Sequence, residues 1–375
     1  MWQAEVRVDL DAIRHNVALL RSRTSAEVMA VVKGDGYGHG MVPVARAALE
    51  AGATWLGACT LGEALALRAA GITAPVLAWL LAPGLPLHDG VAADIDLSAA
   101  TLDDLAELVA AARRAGRPAR VHLKIDTGLN RGGSTPVEWP ALLEAAAKAQ
   151  ADGAIEVVGV WSHFARADEP GHPSVDAQLE RFGDALAVAA RYGVNPRVRH
   201  FANSAAILTR PDAHFDVVRA GIAMYGLSPI PDRDFGLRPA MTARARVMQT
   251  KRVPAGSGVS YGHTYVTPAE TTLAVVPFGY ADGVPRAASG RGPVAVGGKV
   301  HPIAGRVCMD QVVVDCGDDE VSAGDLAVLF GPGDGGEPTA DDWARACDTI
   351  NYEIVTRFGS ARVPRHYDGE RGRVG

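Results

Sequence analysis

From the start of the chain to about residue 235, short apolar runs rich in β-branched residues alternate with longer stretches whose apolar positions recur every three or four residues. The runs are Val28–Val32, Thr54–Ala58, Pro75–Leu80, Ala93–Leu97, Arg120–Ile125, Ile155–Trp161, Val198–Phe201 and Val217–Ile222. Helical spacing marks Leu102–Ala115, Val137–Ala151 and Val175–Tyr192. Eight strands separated by helices over about 230 residues predict an α/β fold, a TIM-like (β/α)8 barrel. An open doubly wound sheet has the same alternation, and strand count alone leaves it open. After Pro239 the pattern becomes short strands broken by Gly and Pro: Ala243–Val253, Thr271–Val276, Pro293–Val296, Lys299–Ala304 and Gln311–Asp315, with one helical pattern at Ala340–Cys347. This predicts a second, mostly β domain. The boundary falls in Pro229–Pro239, where Pro, Asp and Gly cluster, and divides the chain into 1–235 and 236–375.

Composition narrows the class of protein. With 375 residues, 48% hydrophobic and 21% charged, the chain has ample core for two domains, which excludes disorder and fibrous structure. A net charge of −6 and the lack of a basic run argue against nucleic acid as the main partner. Met1–Val8 carries charges and has no apolar signal region. The most apolar stretch, Pro75–Leu87, is interrupted by Pro83, Gly84 and Pro86 and is too short to span a bilayer. Cys59, Cys308, Cys316 and Cys347 form no CxxC pair and have no His at zinc spacing, so no metal site is expected. Reduced thiols in a cytoplasm are the simplest expectation, with no membrane partner.

Only five of the 37 basic residues are Lys, which draws the eye to Lys33. It ends a buried strand and opens Lys33-Gly34-Asp35-Gly36-Tyr37-Gly38-His39-Gly40. In a barrel this position lies at the C-terminal mouth of the first strand, where active sites of this fold sit. A partly desolvated Lys loses basicity and can form a Schiff base with a carbonyl group; a solvated Lys in a flexible turn is the other reading. No P-loop is present, because no Gly-Lys-Ser/Thr occurs in the glycine-rich loop. The one GxGxxG, at Gly331, Gly333 and Gly336, contains Pro332 and lacks a helix abutting its last glycine, as dinucleotide binding requires. Further polar residues follow other strands: Lys124 with Arg131 behind it, His163, Asn203-Ser204, and Arg219-Ala220-Gly221-Ile222. Loops after strands seven and eight commonly hold phosphate in such barrels, and Ser204 with the Gly221 and Ile222 amides is placed for that.

Taken together, these segments resemble the alanine racemase family. The resemblance runs in the family's order through Val32-Lys33, Tyr37-Gly38-His39-Gly40, Lys124-Ile125-Asp126-Thr127-Gly128, Asn203-Ser204 and Arg219 to Tyr225-Gly226. In the second domain it continues through Val259-Ser260-Tyr261-Gly262, Gly279-Tyr280-Ala281-Asp282-Gly283, Cys308-Met309-Asp310-Gln311 and Tyr352-Glu353-Ile354. Two departures sit beside functional positions: Gly34-Asp35-Gly36 where Ala-Asn-Ala is usual, and Ala220 where Pro commonly follows the Arg.

The resemblance implies a pyridoxal 5'-phosphate (PLP) enzyme that interconverts L- and D-alanine and supplies D-alanine for cell-wall peptidoglycan. Lys33 would carry the cofactor and act as base on one face of the substrate, and Tyr261 would act on the other. Arg219 would face the pyridine nitrogen with His163 supporting it; having no acceptor, a guanidinium cannot protonate that nitrogen as an acid would. Tyr37, Ser204, Tyr352 and the Gly221 and Ile222 amides would bind phosphate. Arg131 and the Met309 amide would receive the substrate carboxylate, and Lys124 would be carbamylated. Tyr352 and Tyr280 would line the entrance. Tyr261, Tyr280 and Met309 would reach the partner's barrel, so the resemblance implies a head-to-tail homodimer with composite active sites. The alternatives are a broad or serine-preferring racemase of the same fold, a non-catalytic PLP-binding barrel protein, and a decarboxylase of similar build. The second domain with Tyr261 disfavours the binding protein, and Arg219 disfavours the decarboxylase.

Overall fold

The computed structural model describes residues 2–359 and 362–370. The chain opens with β1 (Ala4–Asp9), after which eight strands form one parallel sheet. They are β2 (Glu27–Val31), β3 (Trp55–Ala58), β4 (Val76–Ala78), β5 (Asp96–Ala99), β6 (Ala119–Lys124), β7 (Ile155–Trp161), β8 (Val198–His200) and β9 (Val217–Ala220). Each of β2 to β7 pairs with the next in chain order, and β9 pairs with β2. The Asp216 and Arg219 N–H groups bond the Arg199 and Ala202 carbonyls at 3.1 and 2.9 Å, which joins β9 to β8 and closes the sheet. This is the expected barrel, and closure excludes the open doubly wound sheet.

These strands read as near-continuous apolar runs because both faces are buried. Inside the barrel, Met29, Trp55, Leu77, Val158, Val198 and Val217 form one small cluster with Trp79 packed against it. Outside, Val28, Ala30, Leu56 and Val76 pack in a larger core shared with the helices. The predicted helices form as Leu102–Ala115, Trp139–Ala151 and Pro173–Arg191. The first is bounded by local chemistry: Thr101 and Asp104 cap each other's backbone at its start, and Gly116 ends it at φ 69°. The fourth barrel strand lies later than the apolar run Ala93–Leu97 predicts. Ala93 caps a helix over Leu87–Ala92 and Asp94 turns at φ 57°, so pairing starts only at Asp96.

The second domain is built on a six-stranded sheet in the order β16-β15-β18-β10-β1-β19, where β10 is Met241–Arg246, β15 Pro293–Val296, β16 Lys299–Pro302, β18 Leu326–Phe330 and β19 Arg365–Asp368. The segment 1–235 is therefore not purely barrel. Ala4–Asp9 pairs antiparallel with β10 and parallel with β19, so the chain begins in the second domain before entering the first. The predicted strand Ala243–Val253 is two strands. At the bend, Val247 N–H bonds Asp325 O and Met248 N–H bonds Val275 O, at 2.9 and 2.8 Å. The chain thus leaves the large sheet for a smaller one, in which β11 (Gln249–Val253), β14 (Thr271–Val276) and β17 (Val312–Asp315) pair. A two-stranded hairpin of β12 (Gly258–Val259) and β13 (Tyr265–Val266) projects beside it. The helix Ala340–Cys347 forms as predicted. A second helix, Asn351–Arg357, lays its backbone on the Lys33 loop: a Cβ at Gly38 would stand 2.5 Å from Val355 O. This contact brings Tyr352 of the second domain to the barrel mouth.

Candidate active site

Lys33 follows β2 after the single residue Val32, and the loop after it coils left-handed: Gly34, Asp35, Gly36 and Tyr37 have φ of 62°, 51°, 64° and 51°. Residues with a Cβ pay about 1–2 kcal/mol each to adopt that conformation, and Gly does not. The departure from Ala-Asn-Ala therefore places glycines where a side chain would strain the turn. The turn is also pinned from outside. Glu63 accepts the Gly34 N–H at 2.7 Å and the Cys59 N–H at 2.8 Å. Asp35 accepts the Met41 N–H at 2.8 Å and pairs with Arg365 at 2.5 Å. Ala220, the other departure, simply extends β9 opposite Ala30.

A cavity of about 880 Å³ opens at the C-terminal ends of the barrel strands. Its lining brings together Lys33, Tyr37, Lys124, Arg131, His163, Ser204, Arg219, Gly221, Ile222 and Tyr352, ten of the residues singled out from sequence. The Ser204 hydroxyl accepts the Gly221 and Ala223 N–H groups at 2.9 and 3.3 Å, which ties the loops after β8 and β9 together. A Cβ on Gly221 would stand 2.8 Å from the Tyr37 hydroxyl, so only Gly leaves this corner open. The Tyr37 and Tyr352 ring centroids are 6.3 Å apart.

Arg219 is 5% exposed. Its Nη1 donates to His200 Nδ1 and His200 O at 3.1 and 3.0 Å. Its Nη2 donates to Ser162 O, His163 Nδ1 and Phe201 O at 2.8, 3.0 and 3.1 Å. Both terminal nitrogens are thus taken by protein acceptors, leaving Nε–H as the donor for the cavity. Burial lowers the Arg219 pKa, yet a guanidinium stays charged at neutral pH.

The cavity is electrostatically one-sided. Lys33, Lys124, Arg131 and Arg219 form no salt bridge among the described residues. The acids in the wall are engaged elsewhere: Asp104 caps its own helix, and Glu353 pairs with Arg357 at 3.3 Å. Burial, and then Arg131 and Arg219, lower the Lys33 pKa despite the opposing effects of Cys59 and Glu63. Burial, Arg219 and Arg131 bring Lys124 down to about 8. Burial and the same cations push His163 well below the usual imidazole range, so it is neutral. Two amines of weakened basicity beside two guanidiniums suit an anionic ligand and nucleophilic or proton-transfer chemistry at nitrogen.

Three predicted residues lie outside this cavity: Tyr261, Tyr280 and Met309, which are 70%, 39% and 52% exposed. They are held close to one another. Ser260, next to Tyr261, donates to Arg306 O at 2.7 Å and contacts Cys308 Sγ at 3.4 Å. Tyr280 N–H bonds Cys308 O and Ala281 N–H bonds Met309 O, both at 3.0 Å. Sequence reading missed several cavity residues. Trp79 has its ring 5.9 Å from the Lys33 ammonium, and Gly57 makes room for it, since a Cβ there would stand 2.9 Å from the indole. Trp161 lies 4.6 Å below the Lys124 ammonium, and Cys59 lines the wall. His200, which bonds Arg219, was missed as well. Its only sequence signal is the alternation in β8, which buries Val198 and His200 and exposes Arg199.

Family models for the alanine racemase N-terminal and C-terminal domains match residues 8–229 and 240–367. A protein of Salinispora arenicola named alanine racemase is 72% identical over 99% of this chain and 100% of its own length. The crystal structure of alanine racemase from D-cycloserine-producing Streptomyces lavendulae superposes with a TM-score of 0.97 at 57% identity, covering 99% of this chain and 98% of that one. The Bacillus anthracis alanine racemase structure with bound L-Ala-P has a TM-score of 0.89 at 40% identity, over 98% of this chain and 95% of that one. Similarity of this extent, over both the barrel and the β domain, makes the protein an amino-acid isomerase. More narrowly, the chain belongs to the alanine racemase family.

Proposed function

We propose that the protein interconverts L- and D-alanine with PLP as cofactor, by proton transfer on the two faces of the substrate, and that its product serves cell-wall peptidoglycan. The observation that carries this is the meeting of Lys33, Arg219 and the Ser204–Gly221 corner in one cation-rich cavity. PLP brings an aldehyde, a ring nitrogen and a phosphate, and when bound it withdraws electrons from the substrate's α-carbon. The donor set suits all three. Lys33, its basicity weakened by burial, offers an amine to the aldehyde and a base on one face. Arg219 would offer its remaining Nε–H to the ring nitrogen without surrendering a proton. Ser204, Tyr37, Tyr352 and the Gly221 and Ile222 amides would hold the phosphate, the Gly221 N–H turning to it from the Ser204 hydroxyl that accepts it here.

Arg131 and the Met309 N–H take the substrate carboxylate. Lys124, neutral in part near pH 8, adds carbon dioxide through its amine nitrogen and releases one N–H proton to solvent, giving a carbamate whose negative charge orients Arg131. Tyr261 is the base on the opposite face, with Tyr280 and Tyr352 narrowing the entrance. Because Tyr261, Tyr280 and Met309 stand exposed and tied together away from their own chain's cavity, we place them in the barrel mouth of a second copy, making a head-to-tail homodimer. The domain division is 1–235 and 236–375, with β1 lent to the second sheet. Alanine is the expected substrate, and the L-Ala-P held by the Bacillus anthracis relative supports a ligand of that class. A cytoplasmic location is consistent with four free thiols and with no helix among the described residues long and apolar enough to cross a membrane.

A racemisation assay over a panel of L-amino acids, read alongside the absorbance of bound cofactor, tests this reading. It predicts a visible cofactor band and turnover greatest with alanine. Serine turned over faster than alanine, or a band without any turnover, contradicts it.

A further inference from the structure

Beneath the cavity a line of polar side chains crosses the apolar lumen of the barrel, buried from Arg219 to Asp96 and ending at half-buried Arg120. Arg219 Nη1 meets His200 Nδ1 at 3.1 Å, His200 Nε2 meets His122 Nδ1 at 2.9 Å, and His122 Nε2 meets Asp96 Oδ2 at 3.0 Å. Arg120 closes the line, donating from Nε to Asp96 Oδ1 at 2.6 Å. His122, His200 and Asp96 are at most 1% exposed. The fold makes room for them. A Cβ at Gly159 would collide with the His122 ring, Trp161 stacks on His200 with 9° between planes, and Trp55 meets His122 edge-on.

The proton positions along this line follow from its ends. A guanidinium can only donate, and an ionised carboxylate can only accept. Arg219 must therefore find a lone pair on His200 Nδ1, which places the His200 proton on Nε2. That proton must find a lone pair on His122 Nδ1, which places the His122 proton on Nε2, pointing at Asp96. Every bond from Arg219 to Asp96 then runs the same way, Arg120 donates to Asp96 from the far side, and both imidazoles are neutral. Burial, Arg219 and His122 hold His200 far below the usual imidazole range, in keeping with this. Burial alone would raise the Asp96 carboxyl, but hydrogen bonds from His122 and Arg120 bring it below its usual value, so it is ionised.

We propose that Asp96 and His122 are positioning residues for Arg219: by forcing the tautomer of His200 they hold the guanidinium in register, with Nε–H turned to the cavity, and Asp96 supplies its counter-charge from across the barrel. The other Arg219 partners are carbonyls and neutral His163, so no carboxylate touches the guanidinium. Remoteness matters, because a carboxylate at the cavity would compete with anionic ligands for the same cation. If the tautomers reversed, His200 Nδ1–H would face Arg219 N–H, and the guanidinium would have to move. The line itself rests on the geometry alone; its effect on the cofactor rests on the function proposed above.

The test is the tautomeric state of His122 and His200 in the 15N-histidine-labelled holoenzyme, with resonances assigned through single variants. Both rings are expected to be neutral and protonated on Nε2, and an Nδ1-protonated or doubly protonated ring at either position overturns the proposal. Asp96 Oδ2 accepts from both His122 Nε2 and Arg120 Nη2, at 3.0 and 3.2 Å, so Asp96→Leu, which removes both oxygens, leaves His122 without its acceptor; His200 is then expected to lose its single-tautomer pattern and the visible cofactor band to shift. His122→Gln can pass on the same polarity, accepting from His200 and donating to Asp96, and should keep both signatures, whereas His122→Leu should lose them. Unchanged His200 resonances in both Asp96→Leu and His122→Leu, or an altered tautomer with an unmoved band, refute the positioning role. A wild-type protein with no cofactor band at all would instead count against the proposed function.

Discussion

Arg219 Nη2 donates to Nδ1 of His163 at 3.0 Å, and because a guanidinium has no lone pair to give, His163 must present one. The imidazole is therefore neutral and carries its proton on Nε2, which agrees with the strong lowering of its pKa by burial and four surrounding cations. One contact thus fixes both the charge and the orientation of a side chain in the cavity wall. The positive charge of the site resides in Lys33, Lys124, Arg131 and Arg219, and the predictions below follow from how those groups are held.

Tyr261 is exposed in its own chain and belongs, in the proposed dimer, to the partner's cavity. Tyr261→Phe should lower racemisation by several orders of magnitude, since it removes a group that must give and take a proton in the reaction, an effect of about 10²–10⁴ for one positioned acid–base group and larger for an obligatory one. Cofactor absorbance should stay unchanged. Steady-state kinetics with L-alanine and an absorbance scan check this; near-normal turnover removes Tyr261 from the chemistry.

Lys124 carries a pH signature. Its pKa in the folded chain is about 8 against an ordinary 10.5, the burial cost leading and Arg219 and Arg131 adding to it. Below about pH 8 both folded and unfolded chains hold the proton and the destabilisation is complete. Between about 8 and 10.5 the unfolded chain binds more protons, so this residue's contribution to stability rises with pH. In carbon-dioxide-free buffer, Lys124→Met should be more stable than the native chain at pH 7, and the gap should shrink by pH 10. Urea midpoints at the two pH values measure it. With 13C-labelled bicarbonate, a carbamate carbon signal should appear in the native protein and be absent from Lys124→Met.

Much of this architecture is legible in the sequence because barrel strands are buried on both faces and announce themselves as apolar runs, as Ile155–Trp161 does. What escapes is what depends on long-range pairing. Ala4–Asp9 shows no clean alternation, since Glu5 and Val6 are both buried and charged residues fill half of it, and only its pairing with Met241–Arg246 and Arg365–Asp368 makes it a strand of the second domain. Val247 and Met248 continue the β pattern without a break, and the turn between sheets is set by partners at Asp325 and Val275. Lys33, Arg219 and Ser204 are readable as polar residues at apolar strand ends. His122, His200 and Asp96 are not, because a histidine inside a strand has the same signature whether it fills space or relays a hydrogen bond.

The loop after Lys33 separates conformational strain from collision. A Cβ at Gly34 meets nothing nearer than Thr356 Cγ2 at 4.0 Å, so Gly34→Ala should cost only the left-handed backbone, about 1–2 kcal/mol. Gly38→Ala would press on Val355 O at 2.5 Å and displace the helix that carries Tyr352. Denaturation midpoints and cofactor retention should fall much further for Gly38→Ala. Equal losses for the two would show that the helix does not depend on this close approach.

Tyr352 stands at the mouth with its ring 6.3 Å from that of Tyr37. Tyr352→Ala should weaken cofactor retention and raise kcat/KM for L-serine relative to L-alanine, by up to about 10- to 200-fold if it is the group that denies space to the hydroxyl. An unchanged ratio, with both substrates slowed alike, would confine Tyr352 to holding the phosphate.

The central claim is that Lys33, at the end of the first barrel strand, is the residue that binds the cofactor covalently. Borohydride reduction of the holoenzyme followed by peptide mass mapping measures this directly. The pyridoxyl group should be found on the peptide containing Lys33 and nowhere else, and Lys33→Ala should carry none. Its recovery on Lys124, which shares the cavity and is also of weakened basicity, would contradict the account.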